Sequence, residues 1–287
     1  MMIYARLFGG LGNQLFQYST ARALSLRRGV ALGLDCRYLH REPAHLGLAL
    51  HHFAIAGDLN PVGLPPHRSQ TLAHGLWRFG IGRPRFLRER TLGVNPAVMN
   101  APDDTYLHGY FQSESYFADA VGKLREELSI ITPPSAENGE WLARIADDAH
   151  SVSVHLRRGD YVTVSKGNAT HGTCDEAYYR AALSEIATRT GQTPRAYVFS
   201  DDPAWAEAHL SLGVEKVVIG HNGPQQHYED LRLMAACRNH VIANSTFSWW
   251  GAWLDATPDK IVVAPKRWFA TDNLVNPDIL PRDWLAL

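Results

Sequence analysis

Cysteine is scarce in this chain: Cys36, Cys174 and Cys237 are the only three in 287 residues. They are far apart and odd in number, with no C-x-x-C pair and no Cys/His array of zinc spacing. That usage argues against a disulfide framework and a structural zinc site, and fits a reduced, cytoplasmic setting. Long apolar runs are missing as well, since no stretch approaches the roughly 18 apolar residues that a bilayer span requires. The opening Met1-Met2-Ile3-Tyr4-Ala5-Arg6 enters a strand-like pattern at once, without the basic and apolar blocks of a secretory signal. No integral membrane segment is expected. Peripheral association at the inner face of a membrane stays open, because a small surface patch is enough for it. An excess of one charge is absent too. The net charge of -1 gives no long-range pull toward nucleic acid or an anionic surface, so an anionic ligand needs locally placed arginines. Internal repeats and low-complexity tracts are also lacking.

What is present is the composition of a soluble globular protein, 45% hydrophobic and 20% charged, in a chain longer than a typical single domain. The start reads as a βαβ unit: a strand Met2 to Phe8, a glycine turn Gly9 to Gln14, a helix Leu15 to Arg28 closed by Gly29, and a strand Val30 to Asp35. Residues 36–100 carry much of the proline and histidine and little periodicity, and read as long connections with short elements. Tyr106 to Tyr110 looks like a strand and Glu114 to Leu128 a helix; Pro133-Pro134 then breaks the chain before a helix Glu137 to Ala149.

Strand-like runs then recur at Ser151 to Leu156, Ala196 to Ser200, Lys216 to Ile219, His240 to Ala243 and Lys260 to Ala264. Helical patterns separate them: Asp175 to Thr190, Pro203 to Leu210, Gln225 to Cys237 and Thr246 to Leu254. This alternation implies parallel sheets. The expected architecture is α/β with two facing Rossmann-like domains, residues 1–140 and 141–287. Ligands of such sheets bind outside the C-terminal strand ends.

The strongest chemical signal is Ser151-Val152-Ser153-Val154-His155-Leu156-Arg157-Arg158-Gly159-Asp160. Strand alternation puts Val152, Val154 and Leu156 on one face and Ser153, His155 and Arg157 on the other, at a strand end. The planar fork of Arg157 matches phosphate oxygens, and His155 supplies a further donor. Such donors, aimed at a departing diphosphate, stabilise the transition state selectively. Arg158 is read instead as a structural partner of Asp160 that ties down the loop.

His155-Leu156-Arg157-Arg158-Gly159-Asp160 resembles the His-x-Arg-Arg-x-Asp motif of the α1,2-, α1,6- and protein O-fucosyltransferases. Gly9 to Tyr18 (GGLGNQLFQY) and Ala243 to Gly251 (ANSTFSWWG) resemble signatures of the bacterial α1,2-fucosyltransferases, glycosyltransferase family 11. The resemblance implies a GT-B-like fold and an inverting, metal-independent enzyme with no cofactor. GDP-fucose would be the donor and the 2-hydroxyl of a terminal galactose in an O-antigen or similar surface glycan the acceptor. It also implies that Asn13 reaches toward the donor pyrophosphate or the scissile bond and that an acid on the helix after residue 225, here Asp230, reads guanine N1 and its exocyclic amine.

Chemistry adds further candidates. Gly10 and Gly12 permit close backbone approach at a helix start, where an anion is favoured. Asn13 could equally cap that helix, and Asp230 could equally lie on a solvated helix face. Asn244, Ser245 and Thr246 precede or open a helix whose free N–H groups suit phosphate. The tryptophans that follow read as core packing. Asp201 is a candidate for the donor ribose or guanine, and Asp202 for the cap of the helix begun by Pro203, so this acidic pair is not read as a metal site. Asp160 is the nearest motif acid for a general base. Two rivals remain: an NAD-linked oxidoreductase resting on Gly10, Gly12 and Asp35, weakened by Leu15 at the third glycine position, and a non-catalytic nucleotide- or sugar-binding module.

Overall fold

The structure, a computed structural model, describes residues 1–39, 47–158 and 173–287. It forms two compact units, Met1–Ile131 with Asn276–Ile279, and Thr132–Val275 with Leu280–Leu287. The division at 131/132 puts the whole helix that spans residue 140 into the second unit.

The first unit runs β1 (Met2–Arg6), α1 (Leu11–Arg28), β2 (Ala31–Asp35), β3 (Asp58–Leu59), α2 (Thr71–Arg78), β4 (Arg85–Arg88), α3 (Pro96–Met99), β5 (Thr105–His108) and α4 (Val121–Glu127). Its sheet is parallel, in the order β3-β2-β1-β5-β4. Helix α1 begins four residues before the sequence suggests. Gly10 is its N-cap residue and its carbonyl accepts the N–H of Gln14, so Gly12 and Asn13 are already helical. The turn is held from inside the helix, because the Gln14 amide donates to Gly9 O and the Gln17 side chain pairs with both backbone groups of Phe8. The two glutamines hold the preceding turn and leave the first N–H groups of α1 without a side-chain cap, which is why no capping signal stands in the sequence.

Residues 36–100 hold β3, α2 and β4, which the period did not reveal because the strands are only two and four residues long. The expected helix over 114–128 is instead two short 3-10 turns followed by α4 from Val121. Fully buried Phe117 leaves the helical region at φ -136° and interrupts it.

The second unit runs α5 (Ala136–Asp147), β6 (Ser151–Leu156), α6 (Glu176–Thr190), β7 (Arg195–Ser200), α7 (Pro203–His209), β8 (Lys216–Ile219), α8 (His227–Ala235), β9 (Asn239–Val241), α9 (Thr246–Leu254), β10 (Val262–Ala264) and β11 (Leu285–Ala286). The order is β11-β10-β9-β6-β7-β8, with parallel pairing throughout. Alternation along β6 and β7 sorts the core into two faces. Val152, Val154, Leu156 and Val198 pack on Tyr179 and Leu183 of α6, whereas Tyr197 and Phe199 pack on Leu233 and Met234 of α8. Helix α8 lies close against α9 because Gly251 has no side chain: a Cβ there would fall 2.9 Å from Met234 Cε. Trp249 and Trp250 are fully buried and pack on each other, and Trp249 also packs on Trp284, which makes that cluster core rather than a sugar platform. Among the described residues no helix is long and apolar enough to cross a membrane.

Candidate active site

Strands run outward from β6 in both directions, to β7 and β8 on one side and to β9, β10 and β11 on the other. The switch point therefore lies between β6 and β9, and the crevice outside their C-terminal ends is the expected ligand site of the sheet. His155 and Arg157 end or follow β6; Asn244, Ser245 and Thr246 follow β9.

His155 is buried, at 4% exposure, with its ring 5.7 Å from that of Phe247 in the first turn of α9. Its backbone carbonyl accepts from the Tyr179 hydroxyl, while its ring Nδ1 has no hydrogen-bond partner among the described residues. Burial, reinforced by Arg157, pushes its pKa down to about 3. At neutral pH this is an uncharged imidazole: one nitrogen donates and the other accepts.

Arg157 sits half-buried, its Nε 3.9 Å from Asp201 Oδ2. Asp201 Oδ1 accepts the backbone N–H of Arg158 at 2.8 Å, so this carboxylate fixes the chain as it leaves β6. Arg158 turns away: its guanidinium stacks on Trp205 at 3.5 Å and approaches Asp202 at 3.9 Å. Those are its described partners; Asp160 lies outside the described residues. Asp202 also caps α7 by accepting from Trp205 N–H, as its place before Pro203 suggests.

The α9 end is built from polar groups with firm partners. Ser245 is the N-cap residue and accepts from Phe247 N–H at 3.3 Å. The Asn244 amide donates to Trp268 O and accepts from the Cys174 thiol, so it supports the loop from inside. Thr246 is the first helical residue and partly exposed. This leaves the first N–H groups of α9 to favour an anion.

Asp230, in the first turn of α8, is not on a solvated face. Burial raises its carboxyl to about 7, against a hydrogen bond from the Asn222 amide that lowers it and the neighbouring Glu229 that raises it. Asn222 donates to Oδ1 at 2.8 Å. Its neighbour Glu229 is committed to Arg232 at 2.8 Å. A largely desolvated carboxyl with one amide partner is suited to a ligand's N–H donors.

In the first unit Asn13 is not the α1 cap: Gly10 holds that position, and Asn13 Oδ1 accepts from the Gln112 amide at 2.9 Å. Gly10 and Gly12 lie at the N-terminal end of α1, where backbone donors are free of side-chain caps. Asp35 is fully buried, bonded by the Arg37 guanidinium at 2.8 Å and by the Tyr106 hydroxyl at 2.7 Å. It has no freedom to take a ribose, and the NAD reading loses its acid.

The family pattern described as Glycosyl transferase family 11 matches residues 92–287. The chain belongs to that family. It is 31% identical to an alpha-1,2-colitosyltransferase of Escherichia coli over 100% of this chain and 99% of the relative. It is also 31% identical to the O-antigen biosynthesis glycosyltransferase WbnK of Escherichia coli over 94% and 96%. A galactoside 2-alpha-L-fucosyltransferase, Sec1 of Mus musculus, is 35% identical over 88% of this chain and 64% of its own length. Among solved structures, Arabidopsis thaliana FUT1 in complex with GDP aligns over 98% of this chain and 74% of that one, with 12% identity and a TM-score of 0.50. The two parallel-sheet α/β units thus have the GT-B-like fold, and the chain is a glycosyltransferase.

Several residues beside these candidates carried no signal in the sequence. Trp205 and Tyr179 line a cavity of about 210 Å³ beside Arg157 and Arg158, on the α6 face of the sheet. Its volume is below the ~300–1,000 Å³ of whole-ligand pockets. His155, Asp230 and the start of α9 lie on the other face, where His155 Nδ1 has no hydrogen-bond partner among the described residues and the Asp230 carboxyl is largely desolvated. Asn222, the partner of Asp230, carried no signal, because only the fold brings it within reach from eight residues away.

Proposed function

We propose that this chain transfers a fucosyl group from GDP-fucose to the 2-hydroxyl of a terminal galactose in an O-antigen or similar surface glycan. The observation that carries the donor side is the presence, in one unit, of Arg157 and of His155, whose Nδ1 has no hydrogen-bond partner among the described residues, at the β6 end, and of the desolvated Asp230 carboxyl on α8. The first set suits a diphosphate. The second suits the N1 and exocyclic amine donors of guanine, a pair that adenine and uracil do not present.

In the reaction the acceptor oxygen attacks the anomeric carbon from the face opposite the leaving group. The bond from that carbon to the diphosphate oxygen breaks, and GDP departs with the electron pair. Arg157, the neutral His155 N–H and the α9 N-terminus at Ser245 and Thr246 stabilise the charge that develops there. The scheme needs no metal or other cofactor. Asn13 assists at the pyrophosphate, with the α1 end at Gly10 and Gly12. Asp201 serves by holding Arg157 and Arg158, and Asn244 by holding the α9 loop. The hydroxyl proton passes to a base, for which Asp160 is proposed.

A second donor has support from the colitosyltransferase relative. Colitose is fucose without one ring hydroxyl, so the guanine and diphosphate contacts would be unchanged and only the sugar pocket would differ. The test is incubation of purified protein with GDP-fucose, lactose and excess EDTA, reading GDP release and fucosylated product. Product with EDTA present supports donor, reaction and metal independence together. Turnover of GDP-colitose without turnover of GDP-fucose would transfer the assignment to colitose. Absence of both product and GDP binding would overturn it.

A further inference from the structure

Helix α2 presents an apolar face that the described residues leave uncovered. Its inner side is anchored by Trp77, which is buried, packs edge-on against Tyr106 and Phe86, and donates Nε1–H to Pro84 O at 2.6 Å. Leu72, Leu76 and Phe79 follow one another at i, i+4 and i+7, a single stripe on the side away from Trp77. Leu72 is 77% exposed and Phe79 90%. The helix then closes in a Schellman motif: Gly80 takes φ 90° and donates to Trp77 O, and Ile81 donates to Leu76 O. That motif folds C″ back toward C3, which brings Ile81, 62% exposed, beside Leu76. Four large apolar side chains therefore share one face of an eight-residue helix and its cap.

The charge around them is one-sided. Between residues 61 and 90 stand Arg68, Arg78, Arg83, Arg85, Arg88 and Arg90, with Glu89 as the single acid, in a chain whose net charge is -1. All six arginines are exposed. Glu89 is occupied, accepting the backbone N–H groups of Tyr110 and Phe111. A chain without net positive charge thus carries six exposed arginines in the same 30-residue stretch as the apolar stripe. An exposed apolar stripe in an arginine-rich stretch complements a bilayer interface, where the stripe enters the acyl boundary and guanidinium groups meet phosphate.

We propose that the face formed by Leu72, Leu76, Phe79 and Ile81 docks α2 in the plane of an anionic lipid surface, with the surrounding arginines on the headgroups. This goes beyond the transfer reaction and does not depend on it, since lipid binding is read without a sugar nucleotide. The test is co-sedimentation of the full chain with vesicles of phosphatidylcholine plus phosphatidylglycerol and with vesicles of phosphatidylcholine alone. Binding is expected to the first, weakened by salt, and at least about tenfold weaker to the second.

Leu72→Gln with Phe79→Gln, both at exposed positions, should lower the anionic-vesicle partition at least about tenfold with the melting temperature unchanged. Arg68→Gln with Arg90→Gln should lower it by a smaller factor and flatten its salt dependence. Wild-type protein that stays in the supernatant with both vesicles overturns the proposal, as does a partition indifferent to the apolar pair. Self-association that the apolar pair abolishes, without vesicle binding, would assign the face to a second copy and equally refute it.

Discussion

His240 and His155 lie on neighbouring strands of the same sheet, and both are buried; the difference between their surroundings separates scaffold from site. His240, in β9, has both ring nitrogens in use: Ser153 Oγ lies 2.8 Å from Nδ1, and Asp255 Oδ2 lies 3.0 Å from Nε2. Asp255 also accepts from Thr257 N–H, and Lys260 donates to its backbone carbonyl. Every polar group in that triad is enclosed and answered, so it ties β6, β9 and the end of α9 together and has no capacity for a ligand. Ser, His and Asp in sequence there form a brace, not a nucleophile. His155, near the end of β6, keeps a ring nitrogen without a partner among the described residues. Buried polar atoms are nearly always satisfied, so an unanswered one at a sheet's switch point is where a ligand belongs.

The comparison is sharpened most by Arg157→Ala. Turnover should fall at least about 100-fold, the scale of one missing transition-state donor, with the melting temperature nearly unchanged. Near-normal turnover in steady-state assays would remove Arg157 from the site. The histidines should then separate. His240→Ala strands Ser153 and Asp255 in the core, and should cost about 3 kcal/mol in chemical denaturation. His155→Phe keeps a ring against Phe247 and should change stability by less than about 1.5 kcal/mol, yet lower turnover about tenfold or more. Equal stability losses in the two variants would erase the distinction.

Asp230 gives a smaller effect with a definite sign. Its carboxyl is raised to about 7, and only the ionised form offers two acceptors to guanine. Bound GDP favours that form, so affinity for GDP should be steady above about pH 7 and decline toward tenfold per pH unit below it. In Asp230→Asn this dependence should vanish, along with most of the preference for GDP over ADP. Calorimetric titration across pH 6 to 8 checks both. The smallest effect belongs to Arg158→Ala. A half-exposed guanidinium near Asp202 and stacked on Trp205 contributes under about 1 kcal/mol to stability, and turnover should stay within a few-fold of wild type.

Legibility followed the physics of each segment. Strands β6 and β8 and helix α9 have the bounds expected from the sequence, because β6 is buried throughout, β8 is a short apolar run between turn residues, and Ser245 caps α9. Strands β3 and β4 were not legible, being short, partly exposed and paired to distant residues. The start of α1 was misplaced because Gln14 and Gln17 hold its turn, and no cap motif records that. At the site, Arg157 and His155 stood out from strand alternation alone. The roles of Asp201 as anchor of the β6 exit and of Trp205 as the platform for Arg158 depend on tertiary approach. So does the partial burial of Asp230, which a helical pattern ending in Cys237 did not disclose.

The central claim is that the C-terminal sheet edge holds a guanine nucleotide diphosphate. Titration of GDP, ADP and UDP into the same preparation, with EDTA present, tests it most directly. The account predicts that GDP binds at least about tenfold more tightly than ADP or UDP, the worth of a charge-assisted hydrogen-bond pair to the base. Equal affinity for the three nucleotides, or binding of none, would contradict it.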